Sequence, residues 1–224
     1  MNGGPFEVEV VAQLGPVPLT TPVVTTWGLV AALALVSWLG TRRASVDRPG
    51  RWQSALEILV ELLQSQVEAV LHRDGGRFLP LLGTLFIFLS VANLSVVVPG
   101  LKPPTAHLET PAALALIVFV AVHGYGVAAQ GLGTYLRGYL KPNPLMLPLN
   151  VFSELTRTFS LMIRLFGNIM SHEFVVGIVV VLAGLFVPIP FMALGILIGL
   201  IQAYIFTVLS AVFLGAAVES VERG

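Results

Sequence analysis

The chain has 224 residues, 56% hydrophobic and only 11% charged, with twelve basic and twelve acidic side chains in balance. Soluble domains carry about 25% charged residues, so this composition belongs to an integral membrane protein, and a net charge of zero gives no basis for nucleic-acid binding. The lack of cysteine excludes disulfides, thiol catalysis and Cys-ligated metals.

The four histidines, His72, His107, His123 and His172, are scattered without metal-ligand spacing. No metal or cofactor is expected. Met1 to Thr20 carries Pro5, Pro16, Pro18, Glu7 and Glu9 but no Lys or Arg. It lacks the basic start of a signal peptide and is read as a short extramembrane tail. Val23 to Gly40 is the first span, just long enough to cross about 30 Å of hydrocarbon. Arg42, Arg43, Arg48 and Arg51 follow at once. The positive-inside rule places them in the cytoplasm and the N-terminus outside.

Gln53 to Leu71 differs in kind. Leu56, Val60, Leu63, Val67 and Val70 repeat at helical spacing, with Glu57, Glu61, Gln64 and Glu68 beside them. The pattern predicts an amphipathic helix with an acidic face. It lies at the cytoplasmic surface, against a partner or on the protein's own loops. Phe78 to Leu101, uncharged between Arg77 and Lys102, is the second span. Its Asn93 is interhelical glue or a pathway residue, glue being slightly favoured. Pro99 to Glu109 is an outside loop, and Thr110 to Leu136 a tilted third span, with Arg137 and Lys141 back on the cytoplasmic side.

Pro142, Pro144 and Pro148 punctuate the chain before a helix over about Asn150 to Phe186. A helix of that length would run about 55 Å and must tilt or lie partly in the membrane plane. Val187 to Pro190 breaks the chain outside. Phe191 to Val218 is the last helix, with Gly195, Gly199 and Gln202 on one face. Gln202 is the polar group available to meet Arg164 across this hairpin. The expected fold is all-α, with about five membrane helices plus one amphipathic surface helix. The last two membrane helices form a long, strongly tilted hairpin. Residues 1–20 are an outside tail and 21–224 one membrane domain, with the amphipathic helix near 53–71 and the hairpin over 150–218.

Arg164 stands in the middle of an apolar run, where a charge costs about 2.5–3.5 kcal/mol on insertion scales. Such a residue marks a functional site, unless it snorkels to the interface or closes a structural ion pair. At 100° per residue, Arg157, Ser160, Arg164, Asn168 and Ser171 fall within about 40° of one another, a polar stripe on a greasy helix. His172 lies roughly 80° off that stripe. Glu173 lies roughly 180° from Arg164 and about 13–14 Å further along, so the two cannot pair on one straight helix. Separated polar sites at two depths suit an ion path with two compartments.

Arg164-Leu165-Phe166-Gly167-Asn168, preceded by Ser153-Glu154-Leu155-Thr156-Arg157 and followed by Gln202-Ala203-Tyr204-Ile205-Phe206, resembles the membrane subunit a (subunit 6) of F-type ATP synthases. The resemblance covers nearly the whole chain from about Thr20. It implies a stator beside a rotating ring of c subunits, with two aqueous half-channels and an essential arginine between them, here Arg164. A guanidinium keeps its charge at any accessible pH and favours a deprotonated ring carboxylate as it passes. The implied ion pathway comprises Arg164, Asn168, His172, Glu173, Gln202, Asn93, Ser160, Arg157 and Glu154. The implied partners are the c-ring, peripheral-stalk b subunits, the rest of the synthase and membrane lipid. The implied location is a bacterial inner membrane, with the C-terminus cytoplasmic.

The chain departs from the family pattern at three places. Asn150 stands where many relatives carry an acid. Gly195 stands where they often carry a histidine or acid, and His172 is the residue available to supply the missing imidazole from the other helix. His107 and Glu109 replace the usual Asp and Asn of the outside loop. Protons are the expected ion, with sodium the alternative. An independent secondary transporter would need a repeat or a discontinuous helix, and an intramembrane enzyme a nucleophile set; the sequence has neither. Without a Walker-type phosphate loop, nucleotide chemistry must sit on other subunits.

Overall fold

The structure, a computed structural model, describes residues 10–14, 17–42, 50–71, 75–97, 103–140, 143–184 and 187–219. Arg43, Arg48, His72, Lys102, Lys141, Pro142 and the tail beyond Glu219, all used above, lie outside the described residues.

Among the described residues, five helices are long and apolar enough to cross a membrane. They are α1 (Thr21–Thr41), α3 (Leu79–Leu94, continued by a 3-10 turn at Ser95–Val97), α4 (Glu109–Gln130), α6 (Leu147–Ala183) and α7 (Pro188–Glu219). Between them lie α2 (Arg51–Leu71) and the short α5 (Leu132–Leu140). The fold is an all-α membrane protein, as the composition and spans require. The tail before α1 is not featureless, however: Val10–Leu14 (β1) and Val17–Thr20 (β2) pair antiparallel, with an irregularity between Val10 and Ala12. Thr20 ends this hairpin and donates a hydrogen bond to the Glu109 carboxylate at 2.7 Å, tying it to the start of α4.

The third span ends earlier than the hydropathy implied. α4 stops at Gln130 because Gly131 adopts φ 77°, a left-handed turn open to glycine at no steric cost. The chain folds back there, and α5 runs separately. Tyr135 of α5 packs against Gly126 so closely that a Cβ there would stand 2.5 Å from the ring. α6 starts three residues before Asn150: Pro148 sits in its first turn, where a missing N–H costs nothing.

Leu82 and Leu89 of α3, Leu165 of α6, and Phe206 and Leu214 of α7 are fully enclosed, with Val118 of α4 beside them. α6 turns Leu161, Leu165 and Ile169 inward at a spacing of four. Helix association in lipid rests on close approach at small residues and on interhelical hydrogen bonds rather than on expulsion of water. Both are present. Gly199 lets α3 approach until a Cβ there would meet Asn93 at 2.9 Å, and Gly215 does the same for Leu71 of α2 at 2.8 Å.

The amphipathic helix crosses one end of the bundle. Leu56 reaches Gly40 at the end of α1, Leu63 reaches Gly83 early in α3, and Leu71 packs on Gly215 late in α7. At that same end stand Arg42, Arg51, Arg77 and Arg137. The opposite end carries the β-hairpin, the start of α4 and the α6–α7 turn.

Candidate functional site

α6 carries the polar stripe, and the stripe faces out of the bundle. Ser160, Arg164, Asn168 and Ser171 are exposed, and Arg157 is half-buried. Among the described residues no carboxylate is paired with Arg164. A structural ion pair is therefore not what holds this cation. Its burial is left to whatever stands against the outer face of α6.

Gln202 does not meet Arg164. Its Oε1 accepts a hydrogen bond of 2.5 Å from Nδ2 of Asn168, one turn further along α6. The helices cross so that the fully buried Gln202 lies level with position 168, and its Nε2 finds no partner among the described residues.

Among the described residues, a cavity opens on α6 on either side of Arg164. The larger, about 450 Å³, is lined by Met170, Glu173, Phe174, Gly177, His107 and Ala106 among others. It lies at the β-hairpin end and brings Glu173 and His107, 66 residues apart by the numbering (173 − 107), to one opening. The smaller, about 260 Å³, lies near the arginine end. Tyr135, Tyr139, Asn150, Ser153, Glu154, Arg157 and Phe213 line it. There Glu154 and Arg157 approach to 3.7 Å, and the Arg157 guanidinium stacks 4.7 Å above the Phe213 ring. Asn150 donates to the Tyr139 carbonyl at 2.9 Å, and the Tyr135 and Tyr139 hydroxyls stand 3.0 Å apart. Burial, then the Tyr139 hydroxyl, push the Tyr135 phenol above its ordinary range, so it stays a neutral hydroxyl.

His172 points away from the stripe into the α6–α7 interface. Its ring lies over Gly195, where a Cβ would meet Nε2 at 1.9 Å. That Nε2 is enclosed and without a hydrogen-bond partner among the described residues. The imidazole thus occupies the place of a side chain at 195. Glu173, the next residue, turns to the larger cavity instead.

Asn93 is used in packing. Its Nδ2 donates to the Gly199 carbonyl at 2.8 Å, and its Oδ1 accepts from the buried Thr105 hydroxyl at 2.8 Å. The amide thereby joins α3, α7 and the 3-10 turn at Pro104–Ala106. Sequence reading missed Tyr135, Tyr139 and Phe213. The i, i+4 tyrosine pair after Gly131 was the available signal, concealed by reading residues 110–136 as one helix.

The chain matches the family model described as ATP synthase A chain over residues 23–215. It is 59% identical to "ATP synthase subunit a 2" of a Bradyrhizobium species, across 100% of both chains. It is 46% identical to "ATP synthase subunit a 2" of Pelobacter propionicus, covering 94% of this chain and 92% of that one. A third relative, "ATP synthase subunit a" of Albidiferax ferrireducens, is 47% identical over 92% of this chain and 89% of its own. The chain belongs to the ATP synthase A chain family and is an integral membrane, ion-translocating subunit of a multisubunit ATP synthase.

Proposed function

We propose that this subunit provides two half-channels to a ring of c subunits and that Arg164 keeps them apart. The observation that carries the reading is the placement on α6 of one exposed arginine between two separate cavities. Arg164 lies ten residues from Glu154 and nine from Glu173, about 15 Å and 13–14 Å along the axis. An ion entering at Glu173 and His107 cannot reach the Glu154 cavity along α6 without passing a fixed positive charge. It must leave on a carrier that moves past the outer face, and a ring carboxylate is such a carrier. The guanidinium draws that carboxylate into its deprotonated form as it arrives, which releases the ion toward one cavity. Ser160 and Asn168 beside Arg164 keep this face polar without competing charge. Each ion crossing 100 mV delivers about 2.3 kcal/mol, so a direct leak would waste the gradient.

Arg42, Arg51, Arg77 and Arg137 crowd one end of the bundle, which supports a cytoplasmic position for that end. The Glu173 cavity then opens outside and the Glu154 cavity toward the cytoplasm. The ion is read as the proton, and peripheral-stalk b subunits are read as the neighbours that hold this stator still.

The test is gradient-driven ATP synthesis alongside passive ion flux, in vesicles holding the intact complex. Arg164→Ala should assemble, fail to synthesise ATP and leak. Arg164→Lys should also fail, because a compact hydrated ammonium lacks the planar five-donor fork. Normal synthesis by Arg164→Ala would sink the reading. Synthesis that requires Na⁺ would change the ion to sodium and leave the path intact.

A further inference from the structure

Ser90 of α3 and Gln202 of α7 are both buried, at 9% and 1% exposure. The Oγ of Ser90 and the Nε2 of Gln202 are enclosed, and neither has a hydrogen-bond partner among the described residues. A buried polar atom left unsatisfied costs about 1–3 kcal/mol. Native proteins pair such atoms, often through an ordered water.

Ser90 and Gln202 lie at the same level of the paired helices α3 and α7. Asn93 contacts Gly199, while Phe86 lines a cavity with Thr207, Val208 and Ala211, so α3 and α7 run antiparallel. From the Asn93–Gly199 anchor, three residues back along α3 reach Ser90. Three residues on along α7 reach Gln202. Both steps cover about 4.5 Å in the same direction.

The missing bond at Ser90 is unusual for a buried helical hydroxyl in this bundle. The buried hydroxyls of Thr207 and Ser210 satisfy themselves on their own helix, donating to the carbonyls of Ala203 and Phe206 at 2.9 and 2.8 Å. That bond, four residues back, is the ordinary resort of a helical hydroxyl. Ser90 has the Phe86 carbonyl at the same offset and does not use it. Its hydroxyl is left without that bond.

We infer that one water molecule sits between Ser90 Oγ and Gln202 Nε2, and that Ser90 is thereby a positioning residue for Gln202. Gln202 Nε2 and the Ser90 hydroxyl both donate to the water, which accepts through its two lone pairs. The other end of the amide accepts from Asn168 Nδ2. The resulting chain runs Ser90, water, Gln202, Asn168, from the packed core to the stripe that bears Arg164. A flipped amide would set two N–H donors against each other at Asn168, and the water holds the other end of the amide in place. The consequence for ion coupling rests on the role proposed above for Arg164; the water site itself does not.

The experiment has two arms on the intact complex in lipid. The first is electron cryomicroscopy at a resolution that shows ordered water. A peak within hydrogen-bond reach of both Ser90 Oγ and Gln202 Nε2 is expected. No peak, or a Ser90 hydroxyl bonded to the Phe86 carbonyl, overturns the site, whatever Arg164 does. The second arm measures gradient-driven ATP synthesis at equal amounts of assembled complex. Ser90→Ala should lower it about 2- to 10-fold, the scale of one hydrogen bond, and Ser90→Thr should restore it. Wild-type synthesis by Ser90→Ala overturns the positioning role. Equal loss in both variants also overturns it, since packing volume would then be the cause. Arg164→Ala, measured alongside, tells failure of this role from failure of the reading on which it rests.

Discussion

The imidazole of His172 fills the space that a side chain on Gly195 would need, with Nε2 standing 1.9 Å from where a Cβ would be. One helix supplies the ring and the other supplies the gap. Neither residue explains itself alone, and the pair constrains substitution at both positions.

Gly195→Ala should therefore be costly. The added methyl must displace a ring packed in a helix interface, and overpacking of this kind costs about 1–3 kcal/mol. Combining it with His172→Ala should recover most of the thermal stability of the complex, because the clash is pairwise. Additive losses in the double variant would mean that the two side chains do not share this space.

Glu173→Gln should slow ion flux severely, since it removes the carboxyl that lines the larger cavity. His172→Ala should slow it moderately. Both complexes should assemble, because neither change introduces a buried charge. Wild-type flux with Glu173→Gln would remove that residue from the path.

Asn93→Ala should act on stability before flux. It strips a partner from the Thr105 hydroxyl, which is wholly enclosed, and unties α3 from α7. A loss of about 1–3 kcal/mol is expected, read as a lower unfolding temperature. A variant of unchanged stability with impaired flux would instead make Asn93 a pathway residue.

Topology can be tested by labelling. Arg51 and Leu108 are exposed at opposite ends of the bundle. A cysteine at Arg51 should react only with reagents that reach the cytoplasm, and one at Leu108 only from outside. The wholly buried Pro103 would make a poor probe. The opposite labelling pattern would invert the orientation and exchange the entrance and exit cavities.

Much of this was legible in the residues. The charge-free stretches mark the spans, because lipid tolerates charge poorly and a crossing needs about 20 residues. The polar stripe on α6 could be read from helical angles alone, and the structure leaves Ser160, Arg164, Asn168 and Ser171 exposed together. The arginine motif, with the glutamine motif after it, was enough to reach the family. The break at Gly131 escaped notice because glycine in an apolar run looks like any other glycine until its φ is known.

What the amino-acid sequence determined by itself was therefore each long helix as a separate object, the α4–α5 break apart: its apolar face, its polar stripe and the relative depth of each polar group along it. What only the tertiary structure decided was who meets whom. Gln202 meets Asn168 instead of Arg164, Asn93 meets Gly199 and Thr105, and Glu154 faces a cavity shared with Tyr139. The reason is geometric. Periodicity reports an angle about one axis, whereas a contact between two helices also depends on their crossing angle and axial offset. Those are set by where small residues such as Gly195, Gly199 and Gly215 let backbones and side chains come close.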